Sequence, residues 1–408
     1  MNLNETLKYY FGYDKLKIEQ EKIINSILDD KDTIGLLPTG YGKSITFQLP
    51  ALMLPGITLV VSPLIALMQD QVINLKNKQI KAEYINSLQT ELEQELIYQK
   101  IKSGKVKILY VSAERLKTNK FINIMKNIEI SLFVCDEAHT LLWSEDFREA
   151  LGEIPKFINL LPKRPKMLAL TATATNDTII KIEKLLELRN PNIILCGCDR
   201  ENIFYKIVKT NDKDRDLYFY LKNKINTHIL IYCLTIKHVT YVYNYLKEKG
   251  FNCLMYHGAL DSKEKKKILE QYKNHFVDII VCTNAFGMGI DIPDIRYVIE
   301  YDLPQSIEDF SQQTGRASRD GEKGEALVLF NINDIKTINY FIDNIEDMNK
   351  DSKELKRIKE SRRYKLDKMI KLCISSKCIH KEISEYFGIK FKNRCNMCSN
   401  CVNKKYLF

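Results

Sequence analysis

The sequence predicts an α/β protein: two parallel-sheet lobes in series, followed by a small helical subdomain that ends in a cysteine cluster. Three observations carry this expectation. Strand-like apolar runs alternate with helical patterns up to residue 200, the alternation that sandwiches a parallel sheet between helices. The same alternation then restarts. From Asp334 onward the strands stop, and Ile335, Ile338, Ile342, Ile345, Leu355 and Ile358 recur at helical spacing. At 408 residues the chain is too long for one ordinary core, and the expected divisions are 1–200, 201–333 and 334–408.

In the first lobe, strands are expected at Ile34–Leu37, Thr58–Ser62, Val106–Val111, Leu132–Asp136, Lys166–Leu170 and Asn192–Leu195. In the second they are expected at His228–Tyr232, Asn252–His257, Asp278–Cys282, Tyr297–Tyr301 and Ala326–Phe330. The uncharged run Ile45–Gln69 is long enough to span a membrane. Pro50, Pro55, Gly56 and Pro63 divide it into a buried helix and a strand. With no apolar leader at the start, a cytoplasmic protein without membrane contact is expected. Eleven cysteines in that setting predict thiols and metal ligands rather than a disulfide framework. The net charge of +10 is concentrated late: residues 333–408 carry 18 Lys or Arg against 10 Asp or Glu. That favours a polyanionic partner, with solvated lysines as the bland alternative.

Directly after the first strand comes Pro38-Thr39-Gly40-Tyr41-Gly42-Lys43-Ser44. Gly40 and Gly42 let backbone amides curl around a phosphate, Lys43 supplies a point charge and Ser44 offers a hydroxyl to Mg²⁺. The full phosphate-loop pattern wants glycine where this chain has Leu37, so an ordinary glycine turn is the competing reading. Asp136-Glu137-Ala138-His139 closes the fourth strand. An aspartate at such a strand end can hold Mg²⁺, and the adjacent glutamate can orient and deprotonate an attacking water.

These motifs do not stand alone. Beside them are Phe11-Gly12-Tyr13 leading to Gln20, the run Val61 to Gln71, Leu170-Thr171-Ala172-Thr173-Ala174, Tyr256-His257, Thr283 to Asp291, and Gln312-Gln313-Thr314-Gly315-Arg316-Ala317-Ser318-Arg319-Asp320-Gly321. In this order and spacing the chain resembles the RecQ helicases of helicase superfamily two over essentially its whole length. The resemblance implies two RecA-like lobes with ATP and Mg²⁺ between them.

It implies that Tyr13, Lys17, Gln20, Thr39, Gly40, Gly42, Lys43, Ser44 and Asp291 serve the nucleotide, Tyr13 by stacking and Gln20 by amide hydrogen bonds. Lys17 stands where the family has arginine and lacks the planar fork. Lys43, Asp136, Glu137, Gln312, Arg316 and Arg319 would carry hydrolysis, with Arg319 as the arginine finger and with Ser44 and Asp136 on Mg²⁺. Arg316 and Arg319 paired with Asp320 at the surface is the alternative. Thr283 and Asn284 would touch the nucleic-acid backbone. Trp143, Phe147 and Arg148 would form an aromatic-rich loop that stacks on unpaired bases, although Trp143 and Phe147 also have core-helix spacing.

Cys378, Cys395, Cys398 and Cys401 have spacing suited to a closed structural Zn²⁺ site, with Cys378 contributed by a helix and Cys373 able to replace it. The family's cysteine followed by Tyr-Phe-Gly, matched by Cys378 and Tyr386-Phe387-Gly388, selects Cys378. Cys135, Cys196, Cys198, Cys233, Cys253 and Cys282 mostly sit in apolar strands, as small hydrophobes. The expected protein is a monomeric, ATP-dependent 3′ to 5′ helicase of repair or recombination, acting on single-stranded and forked duplex DNA. The family's winged helix and accessory helical domain are not expected here. A translocase or annealing factor with weak unwinding, or a zinc-dependent DNA-binding module with a vestigial ATPase, are the alternatives.

Overall fold

A computed structural model describes residues 2–38, 40–63, 65–139, 145–172, 174–197, 200–224, 226–287, 290, 292–345, 352–391 and 394–402, without the side chains of 65–66 and 145–151. The chain divides into two compact units, Met1–Gly197 and Cys198–Phe408. No helix among the described residues is long and apolar enough to cross a membrane.

The first unit is built on a seven-stranded sheet. Its strands are β1 (Thr33–Leu36), β2 (Ile57–Val61), β3 (Ala82–Ile85), β4 (Ile108–Val111), β5 (Ile130–Cys135), β6 (Lys166–Thr171) and β7 (Asn192–Leu195), in the order β3-β4-β2-β5-β6-β1-β7. Every pairing is parallel. The central strands are buried throughout, which is why they read as unbroken Ile, Leu and Val runs instead of alternating ones. Helix Ile18–Leu28 lies so close over β1 that a side chain at Gly35 would meet Ile23 and Leu170 at 2.7 and 2.8 Å. Edge strand β3 is absent from the sequence expectation. It has only four residues, and Glu83 in its middle is held by Lys76 at 2.8 Å and Lys100 at 2.7 Å, so it carries no apolar run to detect.

The second unit has six strands: β8 (Ile203–Lys209), β9 (His228–Tyr232), β10 (Cys253–Tyr256), β11 (Ile279–Cys282), β12 (Ile295–Glu300) and β13 (Gly324–Phe330). Their order is β10-β11-β9-β12-β13-β8, again all parallel. β8 also escapes the sequence expectation: its burial alternates and it carries Lys206, as suits a half-covered edge. Its free edge is partly closed by the cysteine knuckle, where Tyr205 N–H donates to the Met397 carbonyl at 3.1 Å and Ser399 N–H donates back to the Tyr205 carbonyl at 2.8 Å.

The helices Ile332–Asp343, Ser352–Ile374 and Ile379–Tyr386 follow the second sheet. Among the described residues they have no separate core. Leu366, Met369, Leu372, Ile379, Ile383 and Phe387 join one buried cluster with Ile203, Tyr205, Phe310 and Ala317 of the sheet region. A helical segment this small buries too little apolar surface to stand alone.

At the carboxyl ends of β9 and β12 a buried charge network ties the loops together. The Asp302 carboxylate accepts from the Leu234 N–H and from His238 Nδ1, both at 2.8 Å. Lys213 bridges Asp302 at 3.5 Å and Asp334 at 2.7 Å. The hydrogen bond to Asp302, opposed by partial burial, holds the His238 pKa above its ordinary value. A raised histidine pKa stabilises the fold below the unfolded value, about 6.5, and that contribution disappears as pH rises through the folded value. Replacing His238 with Gln should therefore lower the urea midpoint more near pH 6 than near pH 9. An equal loss at both pH values would rule out a charged His238–Asp302 pair.

Candidate functional site

The phosphate loop leaves β1 and enters helix Ile45–Met53. Gly40 and Gly42 have φ of +78° and +86°, left-handed values that glycine adopts without strain. Gln20 lies buried beneath the loop. Its Nε2 donates to the carbonyls of Tyr41 at 2.8 Å and Gly42 at 3.2 Å, and its Oε1 accepts from the Lys17 N–H at 2.9 Å. The amide that the resemblance assigns to adenine thus makes its hydrogen bonds within the protein here, shaping the loop. A Cβ at residue 42 would come within 2.7 Å of that amide. Tyr13 is exposed, and the Lys17 ammonium sits 4.2 Å from the centre of the Tyr41 ring.

Strands β5, β6 and β1 are neighbours, so their carboxyl ends place three motifs side by side. Lys43 is ion-paired with Glu137. Glu137 sits in left-handed backbone, φ +49°, with its N–H donating to Asp136 Oδ1 at 3.0 Å. Glu137 lies 3.4 Å from His139 Nδ1, which is hydrogen-bonded to the Thr171 hydroxyl at 2.8 Å. Burial, then the neighbouring Glu137 charge, pushes Asp136 up to about 6 against the pull of Lys43. The adjacent carboxylates of Asp136 and Glu137 offer the hard oxygen donors that a divalent cation such as Mg²⁺ takes, and the Lys43 ammonium beside them balances their charge.

In the second unit, Gln312 and Gln313 lie on helix Ile307–Thr314, with Arg316 and Arg319 in the turns that follow. Both guanidinium groups point to the Ile290 carbonyl, at 3.4 and 3.3 Å. Asp320 is taken by Arg296 at 2.9 Å. Two residues given no role from sequence hold this turn. Arg200 donates to the carbonyls of Gly315 at 3.1 Å and of Ala317 and Ser318 at 2.8 Å each. Asn202 adds bonds to the carbonyls of Ser318 at 2.9 Å and Glu322 at 2.8 Å.

Thr283 and Asn284 follow β11, and the Asn284 side chain meets that of Gln313. With its amide nitrogen turned toward Glu300, Gln313 donates to both carboxylate oxygens at 3.1 and 3.0 Å. Glu300 is buried at the end of β12, and burial raises its pKa well above the usual carboxylate range. No local pattern marks Glu300. Thr39, Trp143 and Asp291 lie outside the described residues, as do the side chains of Phe147 and Arg148.

The sulfurs of Cys378, Cys395, Cys398 and Cys401 all lie within 4.8 Å of one another, and those of Cys395 and Cys401 are 3.8 Å apart. A tetrahedron with Zn–S bonds of about 2.3 Å has edges of about 3.8 Å, so the set fits zinc. Cys373 is buried and no member of the cluster. Cys378 is the residue before helix Ile379–Tyr386, not within a helix as expected from sequence. His380 Nε2 at 3.1 Å from the Met397 carbonyl, and Asn400 donating to the carbonyls of Ser375 at 3.0 Å and Lys377 at 2.7 Å, hold the knuckle in place. Burial opposes ionisation of Cys401, but backbone N–H donors and the neighbouring thiols bring it down to about 7, while burial holds Cys395 and Cys398 above the ordinary thiol value.

Two parallel-sheet lobes carrying a phosphate loop, an acidic strand end and an arginine turn have the organisation of the DEAD/DEAH helicase class. Family models agree: DEAD/DEAH box helicase matches residues 17–182, helicase conserved C-terminal domain 212–321 and RecQ zinc-binding 332–402. The chain belongs to the RecQ family. It is 36% identical over 404 residues to the ATP-dependent DNA helicase RecQ of Bacillus subtilis (strain 168), covering 98% of this chain and 66% of that protein. To the putative ATP-dependent RNA helicase R290 of Acanthamoeba polyphaga mimivirus it is 34% identical, covering 98% of this chain and 72% of that protein. The chain thus spans about two thirds of the length of such relatives. Its fold matches S. cerevisiae Dbp5 bound to RNA and ADP BeF3 with a TM-score of 0.64 at 19% identity, covering 89% of this chain and 97% of that one.

Two outcomes follow from this geometry. Lysine at position 200 cannot reach three carbonyls at once, so Arg200→Lys should lower the maximal nucleotide-hydrolysis rate by about ten- to a hundredfold, the cost of misplacing a charged group slightly, with little change in KM. An unchanged rate would show that the arginine turn keeps its shape unaided. Stripping zinc with a strong chelator should expose residues 375–402 to protease before the sheet of the second unit, and resistance of that segment would argue against a structural metal.

Proposed function

We propose that this chain is an ATP-dependent 3′ to 5′ DNA helicase, hydrolysing ATP to move along single-stranded DNA and part duplexes ahead of it. The observation that carries this reading is the Lys43–Glu137–His139–Thr171 connection between three adjacent strand ends. A lysine charge-paired with the would-be catalytic carboxylate is held in place yet exchangeable. When nucleotide enters, Lys43 turns from Glu137 to the β- and γ-phosphates, and the freed Glu137 orients and deprotonates the attacking water. His139 then reports the position of Glu137 to Thr171.

Ser44 and Asp136 would hold Mg²⁺, which supplies charge neutralisation at the phosphates when bound. Tyr13 stacks on the adenine, while Gln20 and Lys17 couple that end of the site to the loop backbone. Thr39, Gly40, Gly42 and Asp291 complete the nucleotide contacts. Arg319 is the proposed arginine finger, with Arg316 and Gln312 supporting it. Trp143, Phe147 and Arg148 stack on unpaired bases, and Thr283 and Asn284 follow the backbone of the strand. A zinc-bearing subdomain over 334–408, with the basic surplus of the chain, lies against DNA phosphates by charge. The working form is a monomer in the cytoplasm.

Lys43→Ala should reduce ATP turnover by at least about a hundredfold, the scale seen when a charge-stabilising donor is removed from a water-excluded site. The wild type should be stimulated by single-stranded DNA more than by duplex or RNA. Undiminished turnover in Lys43→Ala would overturn the hydrolytic assignment, and stronger stimulation by RNA would overturn the choice of DNA.

A further inference from the structure

At the amino ends of the strands of the second sheet, three strand entrances lie next to one another, beside the arginine turn, where Ser318 N–H donates to the Ile295 carbonyl at 2.7 Å and Asp320 N–H to the Pro293 carbonyl at 3.2 Å. β11, β9 and β12 are consecutive in the sheet. His228 is the first residue of β9, Asp294 immediately precedes β12, and His275 lies in the connection from helix Ser262–Lys273 to β11. The Asp294 carboxylate spans the two imidazoles: Oδ1 is 3.1 Å from His228 Nδ1 and Oδ2 is 3.2 Å from His275 Nε2. All three residues offer a donor atom within 4.8 Å of the others.

We propose that His228, His275 and Asp294 form a second transition-metal site, separate from the cysteine knuckle. Two imidazoles and one carboxylate are the ligand types that suit zinc and its neighbours, unlike the all-oxygen sets of Mg²⁺ and Ca²⁺. Zinc bonds of about 2.0–2.2 Å place tetrahedral donors roughly 3.3–3.6 Å apart, close to the two separations already present. The donors differ in freedom, as an accessible site requires. His228 is buried and packed 4.2 Å from the Tyr272 ring, so it is a fixed anchor. The His275 side chain is 61% exposed and that of Asp294 32%, leaving a path for the ion and room for water to complete its shell.

The two imidazole rings are stacked, 4.0 Å apart and 7° from parallel. An ion must lie near the plane of each ring it binds, so His275 has to turn out of the stack; its exposure permits this, and its motion closes the site. The bound ion then cross-links the entrances of three adjacent strands.

The test uses the untagged full-length chain, freed of metal and titrated with Co²⁺ in place of zinc. The first equivalent should fill the cysteine knuckle and show thiolate-to-metal charge transfer. A second, weaker equivalent should add ligand-field bands without further charge transfer. His275→Ala, at an exposed position, and Asp294→Asn, at a half-buried one, should each abolish that second equivalent and leave the first intact; circular dichroism checks that both variants are folded. A wild type that takes up only the knuckle equivalent overturns the proposal. So does a second equivalent that persists in both variants, which would mark an adventitious ion bound elsewhere.

Discussion

Parallel pairing is the constraint on which the rest of this molecule depends. A parallel strand hands its chain on at the same edge as every other strand of its sheet. In the first unit the order β5-β6-β1 therefore puts Asp136 and Glu137, Thr171 and the phosphate loop on adjacent strand ends. In the second, β11, β9 and β12 deliver Asn284, the Leu234 loop and Glu300 to one edge. The buried Ile, Leu and Val of the strands supply no chemistry, yet they fix the spacing within which the Lys43–Glu137 pair can form.

Polar groups under the loops carry that precision further. Buried amides and guanidinium groups must find partners, and here the partners are the backbone of the functional segments themselves. Gln20 bonds two carbonyls of the phosphate loop. Arg200 bonds three carbonyls around Arg316, and Gln313 stands between Asn284 and the buried Glu300. Each supporting side chain restricts a loop that would otherwise sample many conformations, which is how loop residues are positioned for chemistry.

The short segment from Arg200 to Tyr205 joins two parts of the second unit that serve different ends. Arg200 and Asn202 brace the arginine turn, while three residues later Tyr205 pairs with the cysteine knuckle across the open edge of β8. An uncovered edge strand invites pairing with other chains; the knuckle occupies part of this one. Metal-held sulfur geometry and the hydrolytic turn are consequently anchored on the same stretch of backbone, and the helices that follow share a core with the sheet.

What the sequence determined by itself was whatever depends on neighbours along the chain. The phosphate loop, the Asp136–His139 strand end, the arginine turn and the Cys395–Cys401 knuckle each hold their chemistry within a few residues, so spacing reveals them. The buried strands were legible for the same reason, as unbroken apolar runs. Edge strands β3 and β8 were not, because a half-covered strand can carry Glu83 or Lys206 and shows no such run. Only the tertiary structure decided that Gln20 turns under the loop, that Arg200 grips residues 315–318, that Glu300 lies against Gln313, and that His228, His275 and Asp294 meet. Those partners are far apart in sequence, and strand order brings them together; no local pattern encodes strand order, since it is set by which apolar faces pack best across the whole sheet.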